Sequence, residues 1–244
     1  MFDPQKLLEQ FLGGSKPQDG SQKQGQQSGM SPDFVKGLAT GGMAGGLAGI
    51  LLGGKTSKKM AKGAVKLGGT AALAGLAYKA YTHWQASKNQ APQPVEAPPM
   101  KDITPKPQGT PFLPSISQQR DNMSLAILRA MIAAAKADGH IDADEQRRIF
   151  GKLDELDLDM EEKAFVIDEL RKPLDIDAVV SAATTPELAV EIYAASVLAI
   201  DPDDPAEQAY LAMLASRLKL DPGLKHAVET EAAKTVALAD VMLY

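Results

Sequence analysis

Two short acidic stretches in the C-terminal half of the chain repeat each other. Asp142-Ala-Asp-Glu145-Gln146 and Asp204-Pro-Ala-Glu207-Gln208 share one offset, and Leu156-Asp-Leu-Asp159 and Leu218-Lys-Leu-Asp221 follow at that same offset. Upstream, Ala137-Asp138 parallels Ile200-Asp201, with the second loop one residue shorter. Two helix–acidic turn–helix units related in this way can pack face to face and bring Asp138, Glu145, Asp201 and Glu207 near one another. Carboxylates at these spacings are suited to capping. Asp142 with Glu145, and Asp204 with Glu207, stand as N-cap and N3, the capping-box spacing, and Gly139 suits the C′ position of the preceding helix. Capping accounts for Asp142, Asp204 and part of Glu145 and Glu207, but does not require Asp138 or Asp201. If a metal binds, ligation by carboxylates alone favours a hard cation such as Ca²⁺ or Mg²⁺ over Zn²⁺. The turn is not an EF-hand: counted from Asp138, Ala143 and Ile149 occupy the places that need Gly and Glu.

Other chemistries lack their residues. With no cysteine, disulfides, thiolate metal sites and a Cys nucleophile are all excluded. His83, His140 and His226 are scattered, which argues against a histidine zinc site and a Ser-His-Asp arrangement. Gly49, Gly54, Lys55 and Thr56 match the phosphate-loop pattern, but no strand precedes them and these glycines already follow a four-residue period. The expectation is a protein that is not an enzyme.

The elements that position the acidic turns are helices. From Ser117 onward the punctuation is that of helix caps, with expected helices at 118–137, 142–156, 160–172, 175–183, 185–200, 204–219 and 222–243. The segment VEIYAASVLAI is apolar nearly all round and is expected to be central. No β-alternation with turn signals appears. This acidic domain, 118–244, has a net charge of −12, against +7 for residues 1–117, where every cation is Lys. Its sign disfavours nucleic acid, whose phosphates need cations.

The N-terminal half has a different character. Gly37, Gly41, Gly45, Gly49 and Gly53 form a bare stripe along an uncharged stretch, a poor helix in water but a packing surface in a bilayer. Lys55, Lys58, Lys59, Lys62 and Lys66 follow, suited to an anionic membrane surface. A weaker apolar segment at 65–81 carries a small-residue face with Gly68 and Gly75, and Tyr78, Tyr81 and Trp84 stand where an interfacial aromatic belt would. Residues 34–84 therefore suggest a glycine-zipper membrane hairpin, or one span plus an interfacial helix. With the lysines cytoplasmic, the hairpin puts both termini on the far side, and the single span puts the C-terminal domain in the cytoplasm. Residues 1–12 read as an amphipathic helix, surface-seeking or merely frayed, with Asp3-Pro4 at its start. Residues 13–33 are a Gln/Gly/Ser linker and residues 85–117 a Pro-rich spacer. No cleavable signal is evident at the N-terminus.

The segment KADGHIDADEQRRI resembles the signature of TerB-like (tellurite-resistance B-like) helical domains. The order of segments over most of residues 34–240 is similar to the YebE-like family of bacterial inner-membrane proteins of uncharacterised function. The resemblance implies an all-α fold: membrane segment, Pro-rich linker, then a compact TerB-like bundle of about six to seven helices. It implies an acidic cluster for a divalent cation, Ca²⁺ or Mg²⁺, which falls here on Asp138, Glu145, Asp201 and Glu207. Pro202 departs from the pattern, since Gly139 fills that place in the first unit and proline cannot adopt a left-handed turn. The expected function is a membrane-anchored binding or scaffolding module at the bacterial inner membrane. Its expected partners are lipid and either a protein or a second copy meeting the glycine stripe. The alternative is a metal-binding protein of the tellurite or envelope stress type.

Overall fold

The computed structural model describes residues 2–12, 70–89, 107–137, 150, 151, 153, 158–200 and 204–241. Eight α-helices lie among them: α1 Pro4–Phe11, α2 Thr70–Asn89, α3 Ser117–Ala134, α4 Met160–Arg171, α5 Ile176–Ala182, α6 Pro186–Leu198, α7 Pro205–Arg217 and α8 Pro222–Val241. The described residues contain no strand, only an isolated bridge between Gln108 and Leu113. Phe150, Gly151 and Leu153 are helical as well, but most of the helix expected at 142–156 lies outside the described residues.

The helix starts follow from local chemistry. Asp3, Asp159, Asp175, Thr185 and Asp204 each turn a side-chain oxygen onto N–H groups of the first turn, which the helix itself cannot satisfy. Asp159 and Glu162 form a complete capping box, with reciprocal 2.8 Å bonds between each carboxylate and the other's N–H. The end of α7 is a Schellman turn: Leu220 N–H bonds Ala215 C=O at 3.0 Å and Lys219 N–H bonds Ser216 C=O at 3.1 Å. Lys219 takes the left-handed conformation there, at φ 55°.

Helix α6 is the axis of the bundle. It is buried from Leu188 to Ser196, having no polar face to show to water, and packs on α2, α3, α7 and α8.

Two elements from the N-terminal half join this core. Leu7, Leu8, Phe11 and Leu12 are buried, and α1 packs on α3 and α2. The helix expected either to seek a surface or to fray is thus seated in the bundle. Likewise α2 buries Leu73, Ala74, Leu76, Ala77 and Ala80 against α6 and α8. This corrects the expectation for 65–81 as the second arm of a membrane hairpin, because the apolar face that a bilayer would have covered is covered by protein. Tyr78, Tyr81 and Trp84 are no interfacial belt either. Tyr78 and Tyr81 meet the ring of Phe112 at 5.6 and 5.5 Å, and Tyr81 meets Trp84 at 5.5 Å. Phe112 is delivered from the end of the Pro-rich spacer by a tight turn in which Gly109 adopts φ 81° and bonds Leu113. The core accordingly extends beyond 118–244. Gly75 lies on α2 with open space where a Cβ would stand, so no helix backbone among the described residues approaches it.

Among the described residues no helix is long and apolar enough to cross a membrane. Gly37, Gly41, Gly45, Gly49, Gly53, Gly68, Lys55, Lys58, Lys59, Lys62 and Lys66 lie outside the described residues.

Candidate functional site

Of the four carboxylates expected to cluster, Glu207 is placed, and Asp138, Glu145 and Asp201 lie outside the described residues. Glu207 is the third residue of α7, largely buried. Asp204 caps that helix, accepting N–H bonds from Ala206 at 2.8 Å and Glu207 at 3.1 Å. The chain reaches the other turns from the same core: Ala137 packs against it and Ile200 is buried in it. Lys136 is anchored just before this described stretch ends at Ala137. Its ammonium donates to the carbonyls of Glu169 and Lys172 at the end of α4, where orphan acceptors favour a cation. Burial holds its pKa below the ordinary lysine value, with Lys172 adding to the effect. Among the described residues no group of three or more His, Asp or Glu is arranged to hold a metal.

The second half of the repeat resolves into capping. Asp159 heads α4 through the capping box, which keeps its carboxyl below the usual range. Asp221 heads α8, accepting the Gly223 N–H at 2.8 Å.

Asp221 also belongs to a charged seam between α2 and α8. Lys88 approaches its carboxylate at 2.9 Å and the Trp84 indole N–H donates to it at 2.9 Å, while the Lys88 ammonium sits 4.4 Å over the indole ring. Lys88 and then Trp84 bring the Asp221 carboxyl down to about 2. Nearly three turns further along α8, the buried carboxylate of Glu231 draws Lys79 to 3.0 Å and Lys234 to 2.8 Å, with His83 at 3.8 Å. Burial works against the charge of Glu231, but Lys234 and Lys79 outweigh it and its pKa is lowered. These pairs set the register of α2 on α8. They satisfy the carboxylates rather than leaving them for a ligand.

Inside the core, the Tyr193 hydroxyl donates to Glu229 at 2.7 Å, and Lys225 completes that carboxylate at 2.7 Å. Burial first, then the Glu229 contact, drives the tyrosine pKa upward. Glu191 differs from all of these. Its residue is 0% exposed and neither carboxylate oxygen has a hydrogen-bond partner. Burial raises its pKa well above the ordinary value, with Glu187 one turn earlier adding to the effect.

The sequence profile of a family described as a protein of unknown function, DUF533, matches residues 37–232. The chain belongs to the DUF533 family. It is also similar to a Yersinia enterocolitica protein described as uncharacterized, in the ampR 5′ region. That relative is 29% identical over 105 residues, covering 43% of this chain and 76% of the relative. No solved structure matches. The DUF533 match opens at Gly37, within the glycine stripe, and closes in α8. It therefore takes in the stripe together with α2–α7 and the first half of α8, and α1 lies outside the match.

Two features of this DUF533 chain had weak sequence signals. Trp84 could have been read as a buried indole seeking an acceptor, since aromatic N–H groups in a core find one. Asp159 and Glu162 stand at capping-box spacing, which sequence alone displays. Glu191 gave no signal, because a single Glu on an apolar helix reads the same whether it faces water or core.

Proposed function

We propose that this DUF533 chain is a TerB-like helical module attached to the bacterial inner membrane, which binds or scaffolds a partner. One observation carries the reading: α1 and α2, on either side of residues 13–69, are seated in one core. The stretch between them holds the glycine stripe and Lys55, Lys58, Lys59, Lys62 and Lys66. An acidic helical domain joined in sequence to a basic, glycine-rich stretch suits anionic lipid, with a protein partner or second copy meeting the stripe. No residue is assigned a catalytic role. The test is flotation of the full chain with vesicles of phosphatidylglycerol, against vesicles of phosphatidylcholine alone. Binding to the anionic vesicles, lost when the five lysines become glutamine, supports the proposal. A chain that floats with neither overturns it.

The acidic repeat in the sequence carries a second reading. Here Asp138, Glu145, Asp201 and Glu207 hold a divalent cation, and the protein serves metal or envelope stress. A Ca²⁺ and Mg²⁺ titration followed by amide resonances tests it. Shifts centred on those four residues support the site, and unmoved resonances there remove it.

A further inference from the structure

The seating of α1 decides how the chain can meet a bilayer. Three of its contacts reach past the whole N-terminal half: Phe2 stacks on Phe165 of α4 at 5.3 Å, Gln5 donates to Asp121 of α3 at 2.6 Å, and Lys6 faces Glu162 of α4 at 3.5 Å. The four buried side chains Leu7, Leu8, Phe11 and Leu12 lie in the same apolar cluster as those of α3 and α6. On the other side of residues 13–69, α2 is tied to α8 through Trp84 and Asp221 and through Lys79 and Glu231. The chain thus leaves one core after Leu12 and is back in that same core by Leu73.

A hydrocarbon layer roughly 30 Å thick cannot lie between a helix and the core that seats it. Residues 37–54 are long enough to span once as a helix. A single crossing, however, would place α1 and α2 on opposite faces and strip α1 from α3. The hairpin that uses 65–81 as its return arm would strip α2 from α6 and α8. We infer that α1, α2 and the C-terminal helices occupy one and the same side of the membrane that the chain meets. This inference rests on the membrane attachment proposed above and specifies its topology.

The absence of cysteine makes the test direct. The full chain carrying Gln5→Cys and Asp121→Cys is treated, in its native membranes, with a short bismaleimide. In parallel, two single-cysteine chains, Glu9→Cys on α1 and Ser216→Cys on α7, are labelled with a membrane-impermeant maleimide. Both replaced positions are exposed, and both chains keep the Gln5–Asp121 contact. The inference expects an intramolecular cross-link in the membrane fraction, and labelling of both single-cysteine chains from the same face. Labelling of Glu9→Cys and Ser216→Cys from opposite faces overturns it, whether or not the double variant folds. A cross-linked chain recovered wholly in the soluble fraction would retire the membrane reading while supporting the seating of α1.

Discussion

Replacing Glu191 should stabilise this protein, and the gain should grow with pH. Its carboxyl sits in the middle of α6, fully buried, with both oxygens unpartnered and Glu187 as the neighbouring charge that acts on it. In the unfolded chain a glutamate loses its proton near pH 4.3, whereas burial makes the folded chain keep it. Above about pH 4.3 the folded state therefore binds one more proton than the unfolded state. Stability then falls by about 1.4 kcal/mol per pH unit from this group alone, until the folded carboxyl ionises. Glu191→Gln cannot ionise and should remove that slope. Glu191→Leu has similar bulk and leaves no orphan acceptor, so it should gain about 1–3 kcal/mol near neutral pH. Urea unfolding followed by far-ultraviolet circular dichroism, from about pH 5 to about pH 8, measures both effects. Histidines and the other carboxylates contribute equally to parent and variant and cancel in the difference. Parallel pH profiles for parent and Glu191→Gln, or a Leu variant less stable than the parent, would refute the reasoning.

The other expectations are local. Asp221, held near 2 by Lys88 and Trp84, has a depressed pKa. Its stabilising effect is present above the ordinary aspartate value and is lost as pH falls from about 4 toward 2. Trp84 is the chain's single tryptophan, so its fluorescence should shift over that acid range in the parent and stay flat in Asp221→Asn. Gly75→Ala meets open space in a helix interior and should raise stability by about 0.5–1 kcal/mol in urea unfolding. Gly223→Ala should lower stability instead, because its new methyl would stand 3.1 Å from Asp221 Oδ1 and 3.3 Å from the Trp84 ring. Lys219→Gly relieves the left-handed residue that ends α7 and should raise the thermal midpoint, by the equivalent of roughly 1 kcal/mol.

Among the described residues, helix starts and stops from Ser117 onward were legible because their causes are local. Asp159, Thr185-Pro186, Asp204-Pro205 and Pro222 mark boundaries through atoms within a turn of themselves. The burial of α6 was legible too, since a helix apolar on every side has no wet orientation. The environment of α2 was not. Leu73, Leu76 and Ala80 would face lipid or protein with the same spacing, and what decides is α8, some 150 residues away in sequence. The partner of α1 was hidden for the same reason: an amphipathic period says that a face is covered, not by what. At the acidic turns, the spacing of Asp204 and Glu207 correctly announced a cap. The repeat then supplied a second meaning that spacing cannot weigh, because capping and cation ligation ask for the same residue types.

The pairing of Trp84 with Asp221 joins residues 137 positions apart, and it has a consequence for biosynthesis. A ribosome adding about 5–20 residues per second needs on the order of ten seconds to make the intervening chain. Throughout that interval the side of α2 that packs on α8 stands uncovered. Holdase chaperones can therefore meet this nascent polypeptide before its own last helix does.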